Sequence, residues 1–183
     1  MRKLIMGIAV VAMFAIPSIA TAAPATGSTT CTDSSDLQGK VIPGNVTVPA
    51  GATCNLSWSD IKGNVAVNGR LVTYGQTHFE KNVGVTGGSF AAANWGVTID
   101  GNLSFLNPAV YSYNGFWGDY SPNVVKGNLT YTITSDTVYP DYQSPLLYFG
   151  GGTTVNGSFN YSDQGSGFAG HLDTGGLKVL NHA

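Results

Sequence analysis

Apolar residues alternate with small or polar ones in a five-residue phrase that recurs along most of the chain. In the copy Gly101-Asn102-Leu103-Ser104-Phe105 the third and fifth residues are apolar and the fourth is polar. Because successive side chains of a strand point to opposite faces, the third and fifth residues share an inward face and the fourth faces outward. The seven copies begin at Gly44, Gly63, Lys81, Gly101, Gly127, Gly157 and Gly175.

The spacing of the copies predicts a solenoid. Counted from the second residue of each copy, the intervals are 19, 18, 20, 26, 30 and 18, and a regular short period with two longer intervals is typical of stacked coils with insertions. Further strand-like segments lie at residues 54–58, 70–74, 97–100 and 153–155. Two or three strands per turn predict an all-β parallel β-helix of about seven coils. The alternative is an antiparallel sandwich or barrel, whose hairpins seldom place one phrase at a constant interval.

The composition of the phrase predicts how its corners and core are built. The leading Gly-Asn pair suits a tight corner because both residues tolerate left-handed backbone angles. We expect the stacked asparagines to hydrogen-bond along the solenoid axis as a ladder. The inward pair grows from Val46 and Val48 to Phe159 and Tyr161 in the sixth copy, which predicts a core that widens toward the C-terminal half.

The N-terminal residues predict export. A positively charged start, an apolar run over residues 4–16 and a small-residue cleavage site predict a secretory signal peptide over residues 1–22. The apolar run is shorter than the roughly 20 residues of a spanning helix, so no membrane insertion is expected after cleavage. Residues 23–38 lack periodicity and are predicted to form a flexible lead-in and cap, followed by the β-helix domain over residues 39–183.

The charge of the chain limits which partners it can bind, and its cysteines predict a disulfide. Removal of residues 1–22 would leave 6 basic against 10 acidic residues, a formal charge of −4. Such a weakly acidic chain has no electrostatic attraction to nucleic acid, so we expect no nucleic-acid partner. Cys31 and Cys54 are the two cysteines of the chain, and an even count in an oxidising compartment predicts one disulfide between them.

Aromatic residues concentrate in the two long intervals, which we interpret as loops that leave successive coils. Exposed Tyr and Trp rings stack on sugars or fill partner pockets while their polar tips stay wet. A shared platform that binds a glycan or a cell-surface component is therefore predicted, and the alternative is that the rings cover the flank of the solenoid. The predicted binding residues are Tyr111, Tyr113, Trp117, Tyr120, Tyr139, Tyr142 and Tyr148.

Catalytic signals are weak. Asp60, Glu80 and Asp100 lie about one coil apart and could stack on one face, and a glycosidase needs two carboxylates across the scissile bond. Their alternative interpretation is solvated turn residues. His78 is isolated in sequence and no Cys/His pair has metal-site spacing, so we expect no catalytic residue, no metal and no cofactor. A polysaccharide lyase or hydrolase remains the alternative function, and a Thr-rich ice-binding face is a weaker one.

A family resemblance supports the fold. Cys31, the segment Val46-Thr47-Val48-Pro49-Ala50-Gly51-Ala52-Thr53-Cys54 and the recurring Gly-Asn-Val resemble small exported bacterial repeat proteins, most of them uncharacterised. The resemblance implies a right-handed parallel β-helix, a leader peptide and an N-terminal disulfide cap, and no catalytic residues. A more distant similarity is to the polymer-forming bactofilins, which are cytoplasmic. We expect a non-catalytic exported protein, a structural or binding module at or outside the cell surface.

Overall fold

The computed structural model describes residues 27–32, 37–93, 96–109, 113–117, 121–135, 137–139, 146–150, 152–167 and 171–181. Every regular element in these segments is a β-strand, and the strands are numbered here along the chain. Within the same segments no helix has the length and apolar character to cross a membrane. The predicted signal peptide lies outside the described residues.

The repeat phrase forms one parallel sheet, the first sheet. Val46 pairs with Val65, Val65 with Val83, and Val83 with Leu103, so equivalent residues of successive copies are in register. The strands of the first sheet, in spatial order, are β1 (Thr29–Thr30), β3 (Val46–Val48), β6 (Val65–Val67), β9 (Val83–Thr86), β12 (Leu103–Leu106), β15 (Leu129–Ile133) and β19 (Phe159–Asp163).

Two further parallel sheets complete the coils. The second sheet contains β4 (Thr53–Asn55), β7 (Arg70–Thr73), β10 (Ser89–Ala93), β13 (Tyr113–Trp117), β17 (Leu146–Phe149) and β21 (His171–Asp173). The third contains β2 (Val41–Ile42), β5 (Asp60–Ile61), β8 (Thr77–Phe79), β11 (Val97–Ile99), β14 (Val124–Val125), β18 (Thr153–Val155) and β22 (Leu177–Val179). A separate parallel pair joins β16 (Val138–Tyr139) to β20 (Ser166–Gly167).

The chain crosses the three sheets in the same order in every coil, third then first then second. All strand pairs among the described residues are parallel, so the fold is a parallel β-helix as predicted. The inward residues of the three sheets meet in one continuous core. Val46 and Val48 are buried while Thr47 between them is partly exposed, which confirms the alternation inferred from the phrase.

The seventh copy of the phrase does not belong to the first sheet, and here the sequence interpretation is wrong. Leu177 pairs with Thr153 in the third sheet. The sixth coil carries the extra strand β20 and still crosses the second sheet with β21. The short last interval of the repeat therefore brings the chain only to the following third-sheet position. At the other end Thr29 pairs with Val46, so β1 supplies the remaining first-sheet strand.

The two long aromatic intervals are partly strand, which corrects their interpretation as loops. Each coil must still cross the second sheet, and β13 and β17 do so within these intervals. Phe116 and Phe149 point inward from the two strands and are almost fully buried. They belong to the core and take no part in an exposed platform.

The aromatic core grows toward the C-terminal half, as the inward residues of the phrase indicate. Phe90, Phe116 and Phe149 follow one another along the second sheet with ring centroids 5.9 and 6.3 Å apart. Tyr131 lies 5.5 Å from Phe105 and stacks on Tyr161, also at 5.5 Å. Desolvation, with a smaller contribution from Asp163, raises the pKa of Tyr161 above its ordinary value. Such ring contacts stabilise the core beyond the burial of apolar surface area, and they occur here in the longer C-terminal coils.

The predicted asparagine ladder is present along the corner that precedes the first sheet. From the second to the sixth copy of the phrase, the backbone N–H of the second residue donates to the side-chain oxygen of the asparagine one coil before it. The Asn64 N–H donates to Asn45 Oδ1 at 2.8 Å, and the series continues through Asn82 at 3.2 Å, Asn102 at 2.9 Å, Asn128 at 2.7 Å and Ser158 at 2.8 Å. These bonds satisfy corner amides that the strands leave unpaired.

The reason for glycine at the first position of the phrase differs from the predicted one. None of the phrase glycines has a positive φ. A Cβ built on Gly63 would lie 2.4 Å from the carbonyl carbon of Gly44, and one on Gly127 would lie 2.5 Å from Asn102 Oδ1. At Gly63 and Gly127 glycine is required because the preceding coil and its ladder approach the corner too closely for a side chain, whereas the third copy has Lys81 at this position.

The disulfide prediction is confirmed. Cys31 and Cys54 are bonded with their Cα atoms 5.7 Å apart, and both are buried. The bond ties the end of β1 to β4, so it joins the first strand of the first sheet to the first strand of the second. Disulfides persist in oxidising compartments, and the bond therefore points weakly to a location outside the cytoplasm.

Candidate functional site

The outward face of the third sheet carries a cluster of charged side chains. Register places Asp60, His78 and Thr98 in one outward column, which we call column one. The positions two residues further along each strand form column two, whose members are Lys62, Glu80, Asp100 and Lys126. We call the charged members of both columns the ion-paired row: Asp60, Lys62, His78, Glu80, Asp100 and Lys126.

Direct contacts connect the members of the ion-paired row. Lys62 Nζ lies 2.6 Å from Asp60 Oδ2 and also bonds Glu80. His78 lies between two aspartates, with Nδ1 3.4 Å from Asp60 Oδ1 and Nε2 3.0 Å from Asp100 Oδ2. Lys126 Nζ is 2.8 Å from Asp100 Oδ1. Each carboxylate therefore has at least one cationic or imidazole neighbour.

Electrostatics in the row favour the charged forms of Asp100 and Lys62. Desolvation alone would raise the pKa of Asp100, but hydrogen bonds from Lys126 and His78, with their charges, outweigh it and hold that pKa below its ordinary value. Hydrogen bonds to Asp60 and then Glu80 raise the pKa of Lys62. Opposite charges at close range favour the charged form of both partners.

A polar groove of about 520 Å³ borders column one. It lies at the corner where the chain passes from the second sheet to the third. Hydroxyl, amide, carboxylate and imidazole groups dominate its wall, which is lined by Ser59, Asp60, Gln76, Thr77, His78, Gly96, Thr98, Ser121 and Pro122. The groove can therefore offer both hydrogen-bond donors and acceptors to a ligand.

Two exposed aromatic side chains stand at the same corner. Trp58 is 50% exposed and Tyr74 is 52% exposed, and no other described Trp, Tyr or Phe side chain is as open. A Cβ on Gly75 would lie 2.2 Å from the Trp58 ring, so the indole rests directly on the Gly75 backbone. Ser59 and Gln76, which follow Trp58 and Gly75, line the groove. The aromatic surface thus adjoins the polar groove.

Trp58 has a backbone conformation that its side chain disfavours. Its φ is +63°, in the left-handed region that bulky residues rarely adopt. The Ser59 N–H donates to the Leu56 carbonyl at 3.2 Å, so Trp58 occupies the third position of a tight turn, where glycine or asparagine is preferred when φ is positive. Such a conformation costs about 1–3 kcal/mol and persists where the surroundings impose it.

Buried serines hold this turn in place. Ser57 and Ser59 are almost fully buried on either side of the exposed ring. Ser57 Oγ accepts the Tyr74 N–H at 2.7 Å, and Ser59 Oγ donates to the Leu37 carbonyl at 2.7 Å. The two serines anchor the turn to the next coil and to the N-terminal segment, so the position of the Trp58 ring is defined.

The aromatic platform predicted from the sequence is only partly described by the structure. Tyr111, Tyr120 and Tyr142 lie outside the described residues, and Tyr113 and Tyr139 fall in β13 and β16 with undescribed side chains. The two that are fully described stack on each other. Trp117 and Tyr148 are half-buried, with ring centroids 4.3 Å apart. The platform therefore stays a prediction.

The predicted acid stack takes a different form from the one expected. Asp60, Glu80 and Asp100 do lie on one face, but Asp60 pairs in register with His78 and is offset from Glu80. His78, isolated in sequence, is in fact a central member of the row. Ligand atoms of Asp60, His78 and Glu80 lie within 4.8 Å of one another, which makes them the residues best placed to hold a metal. Lys62 already bonds both of these carboxylates.

Sequence reasoning missed Trp58, Tyr74 and His78. A signal for His78 was available, because the separation of Asp60 and His78 in the chain equals the shortest interval of the repeat. For Trp58 the sequence predicted the end of a strand-like segment over residues 54–58, whereas β4 ends at Asn55 and Trp58 lies in the turn that follows. Neither its exposure nor its φ can be inferred from the sequence. Comparison of the chain with family models, with curated proteins and with solved structures found no match.

Proposed function

We propose that this chain is a non-catalytic, exported binding module that acts at or outside the cell surface and holds a glycan in the groove beside Trp58. The observation that carries the proposal is the junction of an exposed aromatic surface with a polar groove. A sugar ring has an apolar C–H face and a rim of hydroxyl groups. An indole can stack against the C–H face, and the carboxylate, amide and hydroxyl groups of the groove can bind the hydroxyl groups.

The strain at Trp58 supports a role for its exposed ring. A tryptophan favours neither a positive φ in a turn nor exposure to solvent. We therefore expect one at this position only where its ring has a further role. Covering Gly75 uses one face of the indole. Half of the Trp58 side chain is nevertheless exposed, and a ligand can stack on this exposed part.

The electrostatics of the ion-paired row support binding over catalysis. A glycosidase acid needs a carboxyl group whose pKa is raised so that it carries a proton near neutral pH. The pKa of Asp100 is instead held below its ordinary value, and Asp60 and Glu80 both bond the Lys62 ammonium. Carboxylates paired in this way are suited to accept hydrogen bonds from sugar hydroxyls. Export is supported by the predicted signal peptide and by the disulfide.

A glycan array probed with the mature protein tests this function, together with an assay for released reducing or unsaturated sugars. We expect binding to a defined glycan class and no release of sugar. Trp58→Ala keeps a Cβ in the left-handed turn and removes the ring, so binding should weaken at least about tenfold, the scale of an interface hot spot.

The matched control is Leu106→Ala, which removes a 40% exposed apolar side chain from the first sheet and should leave binding unchanged. Trp117→Ala on the same array tests the aromatic platform predicted from the sequence. Sugar release by the wild-type protein, or glycan binding that survives Trp58→Ala, would contradict the proposed site.

A further inference from the structure

The charges of the ion-paired row are distributed unevenly between its two columns. Column two contains two ammonium and two carboxylate groups, those of Lys62, Glu80, Asp100 and Lys126, so it is balanced by itself. In column one the charged group is the carboxylate of Asp60, next to the imidazole of His78. In a formal count with His78 taken as neutral, the surplus negative charge of the row therefore lies on the groove side.

Asp60 is open to a ligand. A third of its side chain is exposed, and it lines the groove together with His78. Its ammonium partner, Lys62, is shared with Glu80 and belongs to column two. A ligand that enters the groove would cover Asp60 without bringing Lys62 any closer, so it would desolvate a carboxylate whose charge is only partly offset.

The exposed ring beside Asp60 has the matching preference. Trp58 is two residues before Asp60, its indole lies on Gly75, and the residues that follow these two, Ser59 and Gln76, line the same groove. The face of an indole attracts cations as well as C–H groups. An aromatic face next to a carboxylate therefore favours a ligand that carries both a ring with an apolar face and a positive charge.

We propose that the glycan taken by this groove is an amino sugar polymer with free amino groups, such as a β-1,4-linked oligomer of glucosamine. The ammonium group of the sugar supplies the positive charge that Asp60 lacks in column one, and its pyranose face stacks on Trp58. A neutral or N-acetylated sugar leaves that charge uncompensated, and a uronic acid is repelled by it. This inference rests on the proposed glycan-binding function and names its ligand class.

Titration calorimetry at neutral pH with three β-1,4-linked hexamers tests the inference: glucosamine, N-acetylglucosamine and glucose. We expect the glucosamine hexamer to bind at least about tenfold more tightly than either neutral hexamer, because one compensated charge pair in a partly desolvated site is worth about 1.4 kcal/mol or more. Added salt should weaken glucosamine binding and leave the neutral hexamers unaffected.

Asp60→Asn should abolish the preference for the glucosamine hexamer, so that the three hexamers bind this variant with similar affinity. The matched control is Asp173→Asn, which makes the same change of net charge on the second sheet, on β21, and should preserve the preference. Trp58→Phe retains a ring and should retain part of the affinity for all three hexamers. Thermal unfolding of each variant verifies that the fold is kept.

The outcomes separate this inference from the function on which it rests. If all three hexamers bind equally and Trp58→Ala removes the binding, the groove is a glycan site but the amino-sugar assignment is wrong. If Asp60→Asn and Asp173→Asn weaken glucosamine binding equally, general acidity of the chain explains it and the inference also fails. If none of the hexamers binds and the glycan array is blank, the proposed function itself is overturned.

Discussion

The first and third sheets are built on the same coils but use their outward faces differently. In the first sheet the outward residues are small or neutral, such as Thr47, Ala66 and Ser104, and the corner before it is satisfied internally by the asparagine ladder. In the third sheet the outward residues differ from coil to coil, such as Asp60, His78 and Thr98, and some of them are charged. The repeated residues stabilise the stacking of the coils, whereas the chemically reactive side chains lie at positions that do not repeat.

The difference has a physical cause. A ladder needs the same donor and acceptor at each step, so its residues cannot vary without loss of a hydrogen bond. An ion-paired row needs opposite charges within reach of one another, so its residues cannot be the same at every step. The first sheet is therefore easy to identify from the sequence but offers few groups that could bind a ligand. The third sheet is harder to identify from the sequence but offers more such groups.

The largest expected effect concerns the N-terminal end, where only the first and second sheets are joined by the disulfide. Cys54→Ala should lower the free energy of unfolding by about 3 kcal/mol, the chain-entropy value for a loop of this size. Hydrogen exchange should rise first at the Cys31 amide, which donates to the Thr47 carbonyl of the first sheet, and later in the third sheet at Glu80. Equal early exchange in both sheets would show that the end of the solenoid loosens as a whole.

Mass spectrometry of the unreduced protein provides the control, because it should find Cys31 linked to Cys54. Reduction of the wild-type protein should reproduce the stability loss of the Cys54→Ala variant.

The next effect tests the close approach of coils beside the first sheet. Gly63→Ala should destabilise the fold by about 2 kcal/mol, within the range for forced overpacking, because the new Cβ would meet the backbone of Gly44 and Asn45. Gly84→Ala is the matched control on the same sheet. Its Cβ would find ordinary contacts of 3.6 and 4.0 Å, and it should be neutral or stabilising. Denaturant unfolding measures both, and equal effects would contradict the steric explanation.

A smaller effect tests the ladder itself. Asn102→Ala removes the acceptor of the Asn128 N–H and should cost about 1 kcal/mol, the net value of one hydrogen bond. Asn102→Asp retains an acceptor oxygen and should recover most of the loss. Asn160→Ala, at an exposed outward position of the first sheet, serves as a control and should be close to neutral. A ladder that contributes nothing would give the same stability for all three variants.

The smallest effect concerns the third sheet and appears only in acid. The pKa of Asp100 is lower in the folded chain than its ordinary value, so its contribution to stability is present above the unfolded pKa of about 3.9 and is lost as pH falls through the folded value. Melting temperatures of wild type and Asp100→Asn should differ at about pH 6 and converge toward about pH 2. A constant difference across that range would show that packing and not ionisation is responsible.

The repeat phrase alone predicted much of this fold. The alternation of Val46, Thr47 and Val48, the register of the first six copies, the ladder and the disulfide all follow from local pattern and residue chemistry. The seventh copy was misplaced because an inserted strand changes how far around the coil one repeat interval reaches. The aromatic intervals were interpreted as loops because the second sheet has no recurring phrase, so its strands β13 and β17 carried no signal.

By itself the sequence determined the stacking: a phrase whose inward residues are apolar at a constant interval can bury them only by pairing with its own copies. Only the tertiary structure decided which non-repeating residues meet. Asp60 lies beside His78 because one full coil separates them in the chain and one strand spacing separates them in space. Trp58 is exposed on Gly75 because a tight turn holds it there against its own backbone preference. Both depend on contacts between coils, which a local pattern does not encode.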